Sequence, residues 1–412
     1  MKRIVLVFLT FFLLLHTRAN DSMYYTYGSQ LVPLQAADIR LSKEVLTITL
    51  LNDGFAQVDV AYTLDNQGPA RTITMGFEAS APYMGEDFSP NGVHPHISDF
   101  CVEVNGSPLS YHNAVVRLGA IENSQQLEIL DTLQWRNPQE LSFPRSDEID
   151  FISALYNPQL DSIAKYAYAY YFDAHFEPGT NTVHHTYRYR VGIVVDEAFF
   201  LDYKLTPALR WQGGQIDDFT LIVRAENTFK HFFVFNNAFG DNPLWAIYGK
   251  GKQRQRKYDY EAFVEVDENG EEVYEPFVGY ATEFALRNAE VRFHATNFRP
   301  EDELEIRSGD CATFHDFQDA SRHFCYDPGR PYVSSFCVYD NPPIVARKVL
   351  SINRILRNLP FAARGYVFKD KQLKQYFSQQ WWYMPDNTYQ ADVSKLLPQE
   401  QEFIYDVDHP RN

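Results

Sequence analysis

Residues 44–78 read EVLTITLLNDGFAQVDVAYTLDNQGPARTITMGFE, and their apolar side chains recur at every second position. Leu46, Ile48 and Leu50 alternate with Val45, Thr47 and Thr49 before Asn52-Asp53-Gly54 offers a turn. Val58, Val60, Tyr62 and Leu64 then lie opposite Asp59 and Thr63. Residues 66–69 break the chain, and Ile73, Met75 and Phe77 resume the alternation. This period, bounded by Asn, Asp and Gly clusters, describes antiparallel strands with one buried face.

The same pattern extends in both directions. Phe100, Val102 and Val104 run into Asn105-Gly106, a strong hairpin signal. Val183, His185, Tyr187, Tyr189 and Val191 share one face of a strand. Further strands are expected around Phe219, Leu221 and Val223, at Val264 and Val266 before Asn269-Gly270, and at Val291, Phe293 and Ala295. With turns this frequent and no helix–strand alternation, packed antiparallel sheets are expected rather than a parallel α/β fold.

Two stretches break the period. In residues 145–172, Ile149, Ile152, Leu155, Leu160, Ile163 and then Tyr166 to Tyr168 have helical spacing, which predicts a helical insertion between strands. Near the C-terminus, Val349, Ile352, Leu356 and Leu359 are spaced by three, four and three, one face of a helix, with Gly365 as its stop. Leu373, Tyr376, Phe377 and Gln380-Trp381 continue a second helical face up to Pro385. The expected fold is therefore mainly β, with antiparallel β-sandwich-like domains, a helical insertion and a small all-α C-terminal domain.

The N-terminus reads as an export signal. Lys2 and Arg3 precede an apolar run, Ile4 to Leu15, and Thr17-Arg18-Ala19 supplies a small residue at a cut site. That run is shorter than the ~20 residues a membrane span needs. No later stretch is long and apolar enough to span, so no membrane span is expected after signal removal. The expected organisation is a signal peptide over 1–19 and a β-sandwich domain over 20–197 with its insertion near 145–172. A second β domain follows over 198–310, a Cys- and Pro-rich connector over 311–343, a helical domain over 344–396 and a flexible tail over 397–412.

The formal net charge of −17 excludes some partners. Removing residues 1–19 deletes three basic residues and no acid, so the exported chain is more acidic still. Such a surface repels nucleic acid phosphates, and no nucleic-acid partner is expected. Cysteines at 101, 311, 325 and 337 are even in number, as in a disulfide-bearing exported chain. Cys311, Cys325 and Cys337 cluster with His315 and His323, but their spacing matches no zinc pattern, so a local disulfide is expected and no metal.

Catalytic motifs are sparse. Ser162-Ile163-Ala164-Lys165 matches a Ser-x-x-Lys pattern but lacks its companion motifs. His184 and His185 point to opposite faces of a strand and do not share an ion easily. The basic run at 250–257 (KGKQRQRK) and the acidic run at 261–275 read as charged hairpin edges that deter strand addition, in preference to a docking patch. No catalytic residues, metal or cofactor are assigned on this reading.

The stretch RNLPFAARGYVFKDKQLKQYFSQQWWYMP, residues 357–385, resembles the YARHG domain, a small extracellular bacterial domain named for its Tyr-Ala-Arg-His-Gly motif. Asn358, Phe361, Ala362, Gly365, Tyr366, Phe368, Leu373, Tyr376-Phe377, Trp382-Tyr383 and Pro385 carry the likeness. The motif itself departs: Phe361 stands for the Tyr, Ala363 for the Arg and Arg364 for the His. The stretch from Tyr24 to Phe100 is similar to the front of uncharacterised exported bacterial β-proteins. The resemblance implies a secreted, periplasmic or cell-envelope protein.

On this reading the chain is an exported binding or structural protein, with cell-wall glycan or an envelope protein as its partner. Tyr366, Trp381, Trp382 and Tyr383 are the candidate binding aromatics, with Arg364 beside them, because aromatic rings make platforms for sugars or peptides. The alternative is an exported hydrolase acting on glycan or peptide, since two distant carboxylates suffice for glycosidase chemistry.

Overall fold

The computed structural model describes residues 27–29, 31–33, 39–80, 93–117, 128–129, 166–194, 197–266, 272–313, 323–328, 332–334 and 351–409. The expected signal peptide, the Ser162-x-x-Lys165 pattern, Asn269-Gly270, His315 and Cys337 lie outside these residues. Along the chain the strands are β1 (Tyr27–Ser29), β2 (Leu31–Pro33), β3 (Ile39–Leu50), β4 (Phe55–Asn66), β5 (Arg71–Ser80), β6 (Ile97–Val104), β7 (Ser107–Pro108), β8 (His112–Arg117), β9 (Glu128–Ile129) and β10 (Tyr166–Phe176). They continue with β11 (Gly179–Arg190), β12 (Gly192–Val194), β13 (Glu197–Lys204), β14 (Ile216–Phe235), β15 (Trp245–Val266), β16 (Glu272–Phe298), β17 (Leu304–Ser308), β18 (Asp310–Thr313), β19 (His323–Cys325) and β20 (Tyr332–Ser334). Three helices, α1 (Ile352–Ala363), α2 (Lys371–Gln379) and α3 (Pro398–Asp408), close the described chain.

The large sheet is ordered β1-β13-β17-β14-β3-β4-β11-β6-β7, with β12 on β13 and the β15–β16 hairpin on β14. A smaller sheet, β2-β5-β10-β8-β9, packs across it. The alternation expected in β4 and β11 is realised residue by residue: Val58, Val60, Tyr62 and Leu64, and Val183, His185, Tyr187 and Tyr189, are all buried. Phe77 of the smaller sheet meets Tyr187 of the large one at 4.5 Å between ring centroids, and Tyr170 meets Phe100 at 5.1 Å. Each such buried side chain contributes about 1.5–3 kcal/mol relative to exposure, so this aromatic layer is what holds the two sheets together. At the β6–β7 turn, Asn105 and Gly106 both have positive φ, 50° and 75°, as a two-residue hairpin loop requires.

Four expectations are corrected. Tyr166–Phe176 is a strand, not the end of a helical insertion; residues 145–165 lie outside the described chain. Its sequence YAYAYYFDAHF places Tyr168, Tyr170, Phe172, Ala174 and Phe176 on one buried face, a period of two that short apolar runs share with helical spacing. Strand pairing also crosses the boundary expected at residue 197: β3 runs parallel to β14, Glu44 opposite Phe219 through Leu50 opposite Ala225, within one core. The connector is partly regular, since β18, β19 and β20 form a small antiparallel sheet.

The fourth correction concerns the tail, expected to be flexible over 397–412. Residues 398–408 form α3, which buries Phe403 and Ile404, and the carboxylate of Glu400 is fully buried against Arg364. A polar helix is held here by a few apolar residues and two ion pairs, Glu400 with Arg364 and Asp408 with Arg357, a combination that composition does not reveal. Among the cysteines, Cys101 is free and exposed on β6. Cys311 falls at the register irregularity where β18 passes β19, between the pairs Asp310–Cys325 and Ala312–Phe324.

Candidate functional site

The C-terminal module forms from local signals. Ser351 caps α1 by accepting from the Arg354 amide, and Asp370 caps α2 by accepting from Gln372 and Leu373. Gly365, at φ 86°, ends the first helical segment in the left-handed region. Leu356, Leu359, Phe361, Phe368, Leu373, Phe377 and Trp382 then pack into one cluster. Phe229 of β14, Ala285 of β16 and Tyr326, beyond β19, join the same cluster, so the module is seated on the β body.

The seat is one face of β14, β15 and β16, read off by alternation. Phe229 pairs with Arg287, His231 with Ala285, Lys250 with Arg287, Lys252 with Ala285 and Arg254 with Glu283. From this face Lys252 Nζ donates to the Trp381 and Tyr383 carbonyls, both at 2.8 Å, and Lys250 Nζ donates to the Pro385 carbonyl at 3.1 Å. Arg287 Nη1 donates to the Met384 carbonyl at 2.9 Å, and its Nη2 reaches Asp386 at 3.3 Å. The basic run at 250–257 is thus an intramolecular docking patch, contrary to the hairpin-edge reading. Basic residues at 250, 252, 254 and 256 fall at every second position, and a strand sends those to one side.

A buried charge cluster lies under the seam. Glu283 accepts from His231 Nε2 at 2.8 Å and from Arg254 Nε at 2.5 Å. Burial alone would raise this carboxyl, yet His231 and Arg254 hold it down to about 2. The Arg254 guanidinium also lies over the Trp381 ring, 4.4 Å from its centroid, and His231 approaches that ring edge-on at 5.3 Å.

The candidate aromatics occupy distinct places. Trp382 and Tyr383 are buried, Trp381 is half-buried between Arg254 and His231, and Tyr366 is half-buried, its carbonyl accepting from the Tyr383 hydroxyl at 2.6 Å. Helical geometry would leave part of the Trp-Trp-Tyr run outward. However, α2 ends at Gln379 and Gln380 is extended, so the run lies beyond the helix and three successive residues, Trp382 to Met384, turn inward. Arg364 grips Glu400 bidentately, 2.7 Å on each arm, and donates to the Pro360 carbonyl at 3.0 Å. Tyr326 donates its hydroxyl to the same carboxylate, and Glu400 also accepts from the Leu397 amide at the start of α3.

Between module and β body lies a cleft of about 500 Å³. Phe229, Arg287 and Asn288 line it from the sheet, and Arg364, Asp386, Thr388, Tyr389, Gln390 and Lys395 from the module. This volume falls in the range of small-molecule sites, about 300–1,000 Å³. By contrast, the crevice beside Lys230 and Asp327 has only ≈ 10 Å³, room for one water. Of the candidate residues, the cleft collects Arg364 alone. Asn288, Tyr389 and Gln390 carry no sequence signal, because a loop residue and a strand residue about 100 positions apart meet only through docking.

The carboxylates that burial raises lie elsewhere. Asp202 and Glu305 are cross-strand partners on β13 and β17, both held by Arg307, and neither lines the cleft. Among the described residues no group of three His, Cys, Asp or Glu side chains is placed to hold a metal ion. None of the described helices is long and apolar enough to cross a membrane.

Comparison with known proteins returns two domain families. Residues 351–409 match the YARHG domain, and residues 19–204 match a domain of unknown function (DUF4424). No curated protein matches the chain. Among solved structures, a candidate nutrient binding protein of Legionella pneumophila is 17% identical with a TM-score of 0.47, over 94% of this chain and 98% of that one. An M1 zinc metallopeptidase of Deinococcus radiodurans is 11% identical with a TM-score of 0.23, over 68% of this chain and 46% of that one. Baculovirus P35 is 9% identical with a TM-score of 0.21, over 68% and 98%. The chain therefore carries a DUF4424 domain of unknown function in its N-terminal half and a YARHG domain at its C-terminus.

Proposed function

We propose that this protein is an exported envelope or extracellular binding protein that takes its ligand in the cleft between the β body and the YARHG domain, with cell-wall glycan or an envelope protein as the partner. The cleft carries the reading: a concave, polar-lined space of about 500 Å³ at the seam of two packed units, a common place for ligand sites. The Lys2-Arg3 and Ile4–Leu15 pattern supports export. In this arrangement Arg364 lines the ligand space, Trp382 packs behind its Phe229 wall with ring centroids 5.3 Å apart, and Tyr366 holds the neighbouring Tyr383 through its hydroxyl.

The test is co-sedimentation of the full-length mature protein with purified cell-wall glycan, beside a Tyr389→Ala/Gln390→Ala double variant. Sedimentation of the parent and its loss in the variant support the reading. No sedimentation of the parent removes glycan as the partner, and equal sedimentation of both moves the site out of the cleft.

A further inference from the structure

The chemistry of the cleft walls narrows the ligand class, and this step rests on the reading just proposed. We infer that the cleft takes an uncharged ligand rich in hydroxyl and amide groups, of the N-acetylated sugar type, rather than an anion such as a phosphate. The first reason is that its charges are already engaged. Both prongs of Arg364 are held by Glu400 at 2.7 Å, and Arg287 is directed to the Met384 carbonyl and to Asp386. Anion recognition by arginine relies on an open guanidinium fork, and neither fork here is open. Asp386 is engaged in turn, accepting from the Thr388 amide at 2.9 Å and the Thr388 hydroxyl at 2.6 Å as well as from Arg287. Lys395 stands 3.9 Å from Asp392, and Lys250, 3.9 Å from Asp386, donates to the Pro385 carbonyl, so each cation around the cleft already faces a carboxylate or carbonyl of the protein.

The second reason is what remains. Asn288, Tyr389 and Gln390 are neutral groups with donor and acceptor capacity, and the Thr388 hydroxyl oxygen can still accept, which is what adjacent sugar hydroxyls and an acetamido group require. The half-buried ring of Tyr389 adds apolar surface of the kind that sugar faces cover.

The third reason is the backbone that delivers Asn288. Its φ is +49°, left-handed in a non-glycine residue, where β16 slips register against both neighbours. The slip lies between Ala225 and Phe229 on β14 and between Tyr248 and Lys250 on β15. Gly249 permits the close approach: a β-carbon there would sit 2.9 Å from the Asn288 carbonyl and 2.8 Å from Ala289 Cβ. Bulges recur where a strand re-aims a side chain beside a binding site.

The experiment is calorimetric titration of the full-length mature protein with a trimer of N-acetylglucosamine, and separately with inorganic phosphate, at low salt and at about 0.5 M NaCl. The trimer is expected to bind saturably with an affinity that salt leaves unchanged. Asn288→Gly, which keeps the left-handed backbone and deletes only the amide, and Tyr389→Ala should each weaken it by about tenfold. Loss of trimer binding at high salt, full affinity in both variants, binding of phosphate at the same site, or no trimer binding overturns the assignment. If the trimer does not bind although wall glycan sediments with the parent and not with the Tyr389→Ala/Gln390→Ala variant, the cleft reading survives and this one falls.

Discussion

The guanidinium of Arg287, on the β body, occupies the space beside Gly365 that a β-carbon would fill. Such a carbon would overlap the guanidinium and stand 2.5 Å from the Met384 carbonyl, and φ at Gly365 is +86°. The glycine of the YARHG motif is therefore both a helix stop and the point where the module is clamped to the sheet. The Asp386 amide, donating to the Gly365 carbonyl at 2.8 Å, and Arg287, bonded to Met384 and Asp386, close the clamp.

Gly365→Ala is expected to cost roughly 2 kcal/mol or more, because it adds backbone strain and displaces Arg287. Thermal melting measures the loss, and a red shift of tryptophan emission reports Trp381 and Trp382 entering water. The double variant Gly365→Ala/Arg287→Ala should lose less than the sum of its parts, since Arg287→Ala removes the side chain that the new methyl meets. Strict additivity would count against the clamp.

Glu400 is fully buried and satisfied by Arg364, Tyr326 and the Leu397 amide. Glu400→Ala leaves the Arg364 charge without its partner and should destabilise the module by about 3–5 kcal/mol, the range for breaking a buried ion pair. Tyr326→Phe should cost about 1 kcal/mol. Chemical denaturation followed by tryptophan fluorescence separates the two, and near-equal losses would contradict this ranking.

His185 lies in the aromatic layer, stacked on Tyr62 and Tyr187 with Phe77 and Phe100 beside it, and it is fully buried. Burial, then the neighbouring His184, lowers its pKa to about 3. Unfolding returns it to about 6.5, so between those values the unfolded chain binds the extra proton. Stability is therefore complete above about 6.5 and is lost as the pH falls toward 3, by up to roughly 5 kcal/mol. His185→Phe should flatten the dependence of the melting temperature on pH in that window. An unchanged slope would show that the imidazole does not titrate on unfolding.

The seam should loosen at a lower pH than the core. Glu283 is held at about 2 by His231 and Arg254 against the effect of burial. A depressed carboxylate stabilises above its unfolded value, about 4.3, and that contribution disappears as the pH falls through 2. Glu283→Gln should remove this acid step and weaken docking at neutral pH. Lys252→Ala, which strips two carbonyls of their donor, should cost on the order of 1 kcal/mol without affecting the β body. Trp381 emission, next to Arg254 and His231, follows the seam in both variants.

The sequence by itself determined the strands from Val45 to Phe77, the turn at Asn105-Gly106, the face of α1 and the YARHG module. Each is written in contacts between residues a few positions apart, and alternation, turn residues and caps act locally. Short local patterns also misled: Tyr166 to Tyr168 suited a helix as well as a strand, and the tail after Leu397 hid the buried Glu400 among polar neighbours. Only the tertiary structure decided that β3 pairs with β14, that the basic strand face at 250–254 holds the module, and that Trp382 and Tyr383 turn inward. It alone assembled the cleft, because Asn288 and Tyr389 approach one another through the docking of two packed surfaces. That docking depends on long-range complementarity, which no period in the chain encodes.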